Sequence, residues 1–388
     1  MKITDVRSFV VYGGLQNWIF VELFTDEGTT GLGEASISWL ERSVDEAVHW
    51  VARYVVGQDP LDVERLWQTM YRETYYRGGA IPQAAISGID MALWDIAGKA
   101  RGVPAHKLLG GLCHDRLRLY ANAWYADAET PEEFARAAAE TVARGFTALK
   151  FDPFGAADMT IDRDALRLAV ARMAAVREAI GDDVDILLEA HGRFNVYTAV
   201  EVARAMAPFR PMLYEEPIPP ENVDAMADVR RQVSIPVATG ERLYSKWDYR
   251  ELFAKQAADI VQPDLAWVGG ITEAKKVAAM AEASYIPLAP HNCQGPVAMA
   301  ATVQLALSTP NFLILEYFVR QVEWRDQLVT TPIRVDGGYL RPPTGPGLGV
   351  GSLDGDVARA HPYQPTRLSL WRHEWQHDLQ DRPVGAAR

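Results

Sequence analysis

Glu189, Glu215 and Glu241 stand 26 residues apart and then 26 again, each at the end of a short apolar run: DILLEAH, PMLYEEP and PVATGER. Asp264 in DIVQPDL and His291 in IPLAPHN follow 23 and 27 residues further on. An interval of that length fits one strand plus one helix, so polar groups recurring on it mark successive strand ends in a β/α repeat. Parallel strands joined by right-handed helical crossovers either close into a barrel or lie in an open sheet. Polar groups at so many C-terminal strand ends favour the barrel, where every end opens onto one shared mouth. An open sheet would spread them along an edge.

From Arg116 onward the alternation is regular. RLRLYANAW precedes TPEEFARAAAETVARG, in which Thr130 and Glu133 form a capping box, Pro131 takes the first helical position and Gly145 closes the helix. ALKFD, VDILLEAH, PMLYEEP, PVATGE, DIVQPD, PLAPHN and LILEYF continue the strands, which predicts eight strands and seven intervening helices. The preceding residues differ: WIFVELFTDEGTTGLGEA alternates around an Asp26-Glu27-Gly28 turn, and Ile86, Ile89, Leu93 and Ile96 make a helical stripe ended by Gly102 and Pro104. The expected organisation is an α+β domain over residues 1–115, a barrel over 116–330, and a Gly- and Pro-rich, irregular segment over 331–388. The glycines of GLGVG follow no strand and open no helix, so they read as turns and not as a phosphate loop.

Composition narrows the function. At 388 residues and 48% hydrophobic the chain can bury a large core, while a net charge of −12 with dispersed Lys and Arg argues against a nucleic-acid partner. The opening MKITDVRSFVVYG reads as an alternating strand without a basic leader, and no apolar run is long enough for a membrane span, so a cytoplasmic protein is expected. Cys113 and Cys293 lack CxxC spacing, which leaves no support for a disulfide framework or a thiolate zinc site.

Three carboxylates converging on one point repel one another unless a cation compensates them. Hard oxygen ligands suit Mg²⁺, so Glu189, Glu215 and Glu241 are the expected ligands. A single strand-end glutamate more often pairs with a cation, but three on one spacing shift the balance to a site. Successive strand residues face opposite ways, so only one of Glu215 and Glu216 faces the axis; the spacing favours Glu215 and leaves Glu216 for a cation behind the strand. His191, two positions beyond Glu189, shares its face if the strand stays extended. Asp264 and His291 close neighbouring strands, so Asp264 can hold one ring nitrogen of His291 and make it a general base. Lys150 in ALKFDP places an ammonium at the same mouth, to stabilise negative charge or to act as a base if its pKa is depressed. Asp152 shares its face, and Glu316 in LILEYF adds a carboxyl group from the last strand, as an electrophilic acid or a structural partner.

These residues together resemble the enolase superfamily, and within it the mandelate racemase subgroup and its acid-sugar dehydratases of the D-gluconate and D-galactonate type. SGIDMALWDIAGKARGVPAHKLLGG, LLEAHGRF, YEEP, GER, QPD and APHN carry the resemblance across nearly the whole chain. It implies a modified TIM barrel, (β/α)7β, with an N-terminal α+β capping domain completed by the C-terminal segment. It implies Mg²⁺ on Glu189, Glu215 and Glu241, an Asp264–His291 dyad, and substrate-covering loops around Gly13 to Trp18 and Tyr75 to Gly79, with Trp18, Tyr76 and Arg77 as substrate contacts. It also implies a homo-oligomer, dimer or octamer. One position departs from the pattern: many members carry Lys-x-Lys where this chain has Lys150-Phe151-Asp152, which removes the second lysine of a two-base racemase.

The expected reaction is Mg²⁺-assisted dehydration of a sugar acid. His291, held by Asp264, removes the C2 proton; Lys150 helps stabilise the ene-diolate charge; His191 protonates the departing C3 hydroxyl; and the enol becomes a 2-keto-3-deoxy acid. Glu316, Asp152, Tyr76, Arg77 and Trp18 are expected around the substrate. The competing expectations are an acid-sugar epimerase or racemase and a noncatalytic binding homologue.

Overall fold

In the computed structural model residues 1–366 of the 388 are described; the end of the expected C-terminal segment lies outside them. The chain opens with strands β1 (Ile3–Tyr12), β2 (Asn17–Thr25) and β3 (Thr30–Glu34), paired antiparallel in that order. Gly28, at φ 79°, lies in the turn between β2 and β3. Helices α1 (Glu41–Ala52) and α3 (Ala80–Arg101) pack on this sheet, with α2 (Val63–Glu73) against α3 and a short α4 (Ala105–Leu108) after it. The stripe Ile86, Ile89, Leu93 and Ile96 is buried, and Gly102 takes the left-handed C-cap. Helix and sheet meet closely because β3 carries glycine: a Cβ on Gly33 would stand 1.9 Å from the Gly88 carbonyl oxygen.

The second unit is a ring of parallel strands. β4 (Leu117–Asn122), β5 (Ala148–Phe151), β6 (Asp185–Glu189), β7 (Leu213–Glu215), β8 (Val237–Thr239) and β9 (Ile260–Val261) pair in chain order, and β10 (Leu315–Phe318) pairs parallel with β4. Between β9 and β10 the ring runs through Leu288, which bridges to Val261 on one side and Phe312 on the other. The strand predicted over PLAPHN is thus reduced to one pairing residue, since Pro287 and Pro290 flank it and neither offers an N–H to a ladder. Closure survives, and each of the eight strand positions sends one side chain into the barrel: Tyr120, Ala148, Leu187, Leu213, Ala238, Ile260, Ala289 and Ile314.

Outside the ring run α5 (Pro131–Ala143), α6 (Arg163–Ile180), α7 (Val196–Met206), α8 (Val223–Gln232), α9 (Lys246–Ala254), α10 (Gly270–Ala283) and α11 (Pro296–Leu307). The Thr130–Glu133 capping box is formed at α5, and Asp162, Asn195 and Asn222 accept backbone N–H groups at the starts of α6, α7 and α8. Each such cap contributes about 1 kcal/mol. Among the described residues no helix is long and apolar enough to cross a membrane.

The segment after Val329 is less irregular than its glycines suggest. A hairpin of β11 (Val335–Asp336) and β12 (Tyr339–Leu340) turns at Gly337 and Gly338 and joins β4 antiparallel through Arg118 and Leu117. Beyond α12 (Gly355–Ala360) the chain returns to the first sheet: Pro362 bridges Val11, and Asn17 exchanges hydrogen bonds with the Gln364 backbone.

Buried carboxylates from the N-terminal unit hold the two units together. Glu34 accepts the backbone N–H groups of Gly295, Val297 and Ala298 at the start of α11, at 2.7, 3.1 and 2.8 Å. Asp95 accepts from Leu32 and Leu348 and pairs with Lys99. Asp90 accepts from Thr272 N in the first turn of α10 at 3.0 Å, while its Oδ1 is buried without a hydrogen-bond partner. Burial pushes the Asp90 carboxyl up to about 7, against the pull of Thr272. A carboxyl that binds its proton more tightly when folded stabilises the fold fully below its ordinary pKa near 4 and loses that contribution as pH rises through about 7. Asp90→Asn is therefore expected to flatten the fall in unfolding free energy between pH 5 and pH 8 in denaturant titrations; a variant with the parent's slope would show that Asp90 does not titrate there.

Candidate active site

Glu189 and Glu215 end adjacent strands and are direct register partners. Lys150, from β5, extends between them and meets a third carboxylate: its Nζ lies 3.1 Å from Glu189 Oε2, 2.6 Å from Glu215 Oε1 and 2.9 Å from Glu316 Oε1. All four side chains are almost wholly buried. Burial disfavours the Lys150 ammonium, but Glu215 and Glu316 more than offset it, so its pKa lies well above the ordinary lysine value. The base role that a depressed pKa would have allowed is not what this environment produces. Glu316 is pressed the other way: burial raises it, but Lys150 and His291 pull it down to about 2. Its carboxyl accepts from Asn122 Nδ2 at 2.8 Å and from Asn292 N at 2.9 Å.

The seventh strand position brings His291 to the same mouth. Its Nδ1 lies 2.7 Å from Asp264 Oδ2, and its Nε2 lies 3.3 Å from Glu241 Oε2 and 3.6 Å from Glu316 Oε2. Burial lowers the imidazole pKa, yet Glu241 and Glu316 raise it well above the ordinary value. Asp264 is fixed in turn by Ala266 N at 2.7 Å. Trp267 packs its ring 5.6 Å from that of His291 and donates Nε1–H to the Glu241 carbonyl.

His191 reaches the mouth by a different route from the one its spacing predicts. β6 ends at Glu189 and His191 takes φ 51°, so the strand does not stay extended. The turn nonetheless keeps His191 beside Glu189, whose Oε1 accepts the His191 backbone N–H at 2.6 Å. A side chain at positive φ costs of order 1 kcal/mol and persists where the surroundings impose it. Asp152 is not open to the mouth: its side chain is 0% exposed, and its Oδ2 lies 2.7 Å from His191 Nδ1. It therefore sits behind His191 and not among the substrate contacts. Trp18 is 2% exposed inside the first unit, under Gly13 and edge-on to Phe20, so it too is no open contact surface. Tyr76 is 86% exposed, and Arg77 lies over the Tyr71 ring. The structure brings Lys150, Glu189, Glu215, Glu241, Glu316, Asp264 and His291 together, with His191 beside Glu189; it leaves Trp18, Tyr76 and Arg77 outside that cluster.

Several supporting residues have weak sequence signals. Gln262, two positions before Asp264 on the same strand end, donates Nε2–H to Glu215 Oε2 at 2.6 Å. Its spacing from Asp264 was the available cue. Asn122, at the end of β4, carried none beyond its place. Glu216, past the end of β7 at φ 40°, pairs with Arg242, whose Nη2 lies 2.6 Å from Glu216 Oε2. Gly192 makes room for that arginine, since a Cβ there would lie 1.8 Å from Arg242 Nη2.

The donor set suits a hard divalent cation. Among the described residues no group of three or more His, Cys, Asp or Glu side chains is gathered as a ready cation site, because Glu241 turns to His291 while Glu189 and Glu215 share Lys150. Burial and the neighbouring Glu189 nevertheless push the Glu215 carboxyl up to about 8. That shift and the raised His291 share a source in closely spaced carboxylate charge, which a cation held by oxygen ligands removes.

Residues 133–356 match the enolase C-terminal domain-like family, and residues 11–110 match the mandelate racemase / muconate lactonizing enzyme N-terminal domain. The chain belongs to the enolase superfamily, in its mandelate racemase / muconate lactonizing enzyme subgroup. It is an enzyme of the hydro-lyase class, as the sugar acid dehydratases similar to it are. It is 41% identical to the D-gluconate dehydratase of Thermoproteus tenax over 354 residues, covering 91% of this chain and 71% of that one. It is 38% identical to the D-galactonate dehydratase of Ralstonia nicotianae over 382 residues, covering 96% and 98%. The solved mandelate racemase/muconate lactonizing enzyme from a Sulfitobacter species superposes with a TM-score of 0.88 at 39% identity, covering 94% of this chain and 96% of that one. Members of this superfamily typically use a divalent metal ion.

Removing Arg242 would leave Glu216 as a buried carboxylate without its cation. Breaking a buried pair from one side costs about 3–5 kcal/mol. Arg242, however, is 36% exposed and burial already pushes the Glu216 carboxyl up to about 8, where it can take a proton, so Arg242→Ala is expected to lower stability by only ~1–2 kcal/mol at pH 8, measured by urea unfolding; a loss below ~0.5 kcal/mol would mean the pair contributes no more than an exposed one.

Proposed function

We propose that this enzyme dehydrates an acid sugar, an aldonate such as D-gluconate or D-galactonate, to the 2-keto-3-deoxy acid with Mg²⁺ as cofactor. The observation that carries this reading is the placement of two imidazoles, each with a carboxylate on Nδ1, at the third and seventh positions of an eight-position ring. Those positions lie across the mouth from each other, so one imidazole can remove a proton on one side of a substrate while the other protonates a leaving group on the opposite side. The likeness to gluconate and galactonate dehydratases supports the substrate class.

Glu189, Glu215 and Glu241 would hold the ion, which when bound supplies Lewis-acid polarisation of the substrate carboxylate. His291 takes the C2 proton at Nε2, with Asp264 on Nδ1 holding the ring and stabilising the imidazolium. Lys150, buried and charged, faces the negative charge that then develops on the carboxyl oxygens. His191 gives a proton to the C3 hydroxyl as the C–O bond breaks and the C2=C3 double bond forms. Water leaves, and the enol tautomerises to the ketone. Lys150 is committed to three carboxylates and not poised as a second base, which favours elimination over racemisation.

His291→Asn is expected to abolish formation of the 2-keto-3-deoxy product, scored by mass spectrometry against D-gluconate, D-galactonate and D-arabinonate with Mg²⁺. Parental turnover in that variant, or a wild-type product of unchanged mass, would overturn the assignment. Mg²⁺ is further expected to raise the melting temperature of the metal-stripped enzyme, with the rise absent in Glu215→Gln; equal rises in both proteins would remove Glu215 from the ligand set.

A further inference from the structure

His191 carries a second His–Asp pair with the same Nδ1 separation as the first: 2.7 Å to Asp152 Oδ2, against 2.7 Å from His291 Nδ1 to Asp264 Oδ2. We propose that Asp152 is a positioning residue for the dehydration step, holding His191 by Nδ1 so that Nε2 presents the proton to the departing hydroxyl. The inference rests on the reading of His191 as the general acid.

The buried Asp152 carboxylate is engaged by His191 and Arg193, which places it behind the imidazole. Its own position is fixed from two directions. Oδ1 accepts the Phe154 backbone N–H at 2.9 Å, which locks the carboxylate to the turn after β5. Oδ2 also accepts from Arg193 Nη2, and the Arg193 guanidinium is anchored to the Ala190 carbonyl at 2.9 Å and to the Gly155 carbonyl at 2.5 Å. Asp152 is thus held between the loops that follow β5 and β6, and His191 is pinned at both ends: its backbone N–H on Glu189, its ring on Asp152. With a carboxylate as acceptor, Nδ1 carries the structural proton in either charge state of the ring, so transfer takes place at Nε2.

The test uses the full-length, Mg²⁺-loaded enzyme and its aldonate substrate in D₂O, following product by mass spectrometry and C2 deuterium in recovered substrate by NMR. Asp152→Asn is expected to lower kcat for dehydration by about 10- to 100-fold with little change in KM, while C2 exchange, which depends on His291, persists. His191→Asn is expected to show the same separation more strongly. Equal loss of exchange and dehydration in Asp152→Asn, or parental kcat, would overturn the positioning role. If His191→Asn itself fails to separate the two rates, the reading of His191 as the acid falls, and the role of Asp152 with it. A fold-independent readout comes from the unmutated enzyme: histidine ¹⁵N spectra, assigned with His191→Asn, are expected to show His191 protonated at Nδ1, and an unprotonated Nδ1 would sink the proposal.

Discussion

The buried ammonium of Lys150 is the contact around which the mouth of the barrel is arranged. Glu189, Glu215 and Glu316 converge from the third, fourth and eighth strand positions, and Lys150 from the second meets all three within 3.1 Å. Two carboxylates about 4 Å apart repel by ~4 kcal/mol at the effective dielectric of a protein. A cluster of three is tolerable only with positive charge among them. Lys150 lowers Glu316, but burial and then the neighbouring Glu189 keep Glu215 raised to about 8 despite that one cation. The remaining excess of negative charge is what makes the strand ends fit for a divalent ion, and it also explains why His291, facing Glu241 and Glu316, is pulled towards its charged form.

The same economy of charge operates between the two units. Helices α10 and α11 begin at the junction, and their first N–H groups would be buried without partners if the first unit offered only apolar surface. Asp90 and Glu34 supply the acceptors from α3 and β3. Because α11 follows directly on His291 through Asn292 to Gly295, the carboxylate of Glu34 fixes the loop that carries the proposed base. Gln16 adds a second tie, donating to the Cys293 carbonyl at 2.7 Å. The N-terminal unit therefore acts on the chemistry through the backbone of the seventh strand position as well as through any loop above it.

The barrel and its carboxylates were legible in the sequence because both follow from period. Strand-end spacing placed Glu189 beside Glu215, and the Thr130–Glu133 capping box marked α5. What period could not show is where the backbone leaves regular geometry. The prolines around Leu288 shorten the seventh strand to a bridge, and the positive φ of His191 ends the extended run on which its facing was argued. Asp152 was placed at the mouth on the same alternation, but a carboxylate with Arg193 and His191 within reach turns inward. Trp18 was expected at the substrate from the neighbourhood of a covering loop, whereas the strand it belongs to, β2, is the buried centre of the first sheet. For Asp152 the deciding partner, Arg193, is distant in sequence, whereas the seventh strand is cut short by its own prolines.

Two imidazoles backed by carboxylates would by themselves suit a racemase as well as a dehydratase, since either could exchange a proton with the same carbon. The difference lies in what surrounds each ring. His291 faces Glu241 and Glu316 with Nε2, beside the carboxylate cluster where a substrate carboxyl group and its α-carbon would be anchored. His191 stays beside Glu189 through its backbone N–H, and its ring is braced from behind by Asp152, which Arg193 also holds. Lys150, on the strand between β4 and β6, is held by three carboxylates that keep its ammonium charged. The two imidazoles thus have unequal supports, Asp264 on one and Asp152 with Arg193 behind the other, and the proposed elimination would use that difference.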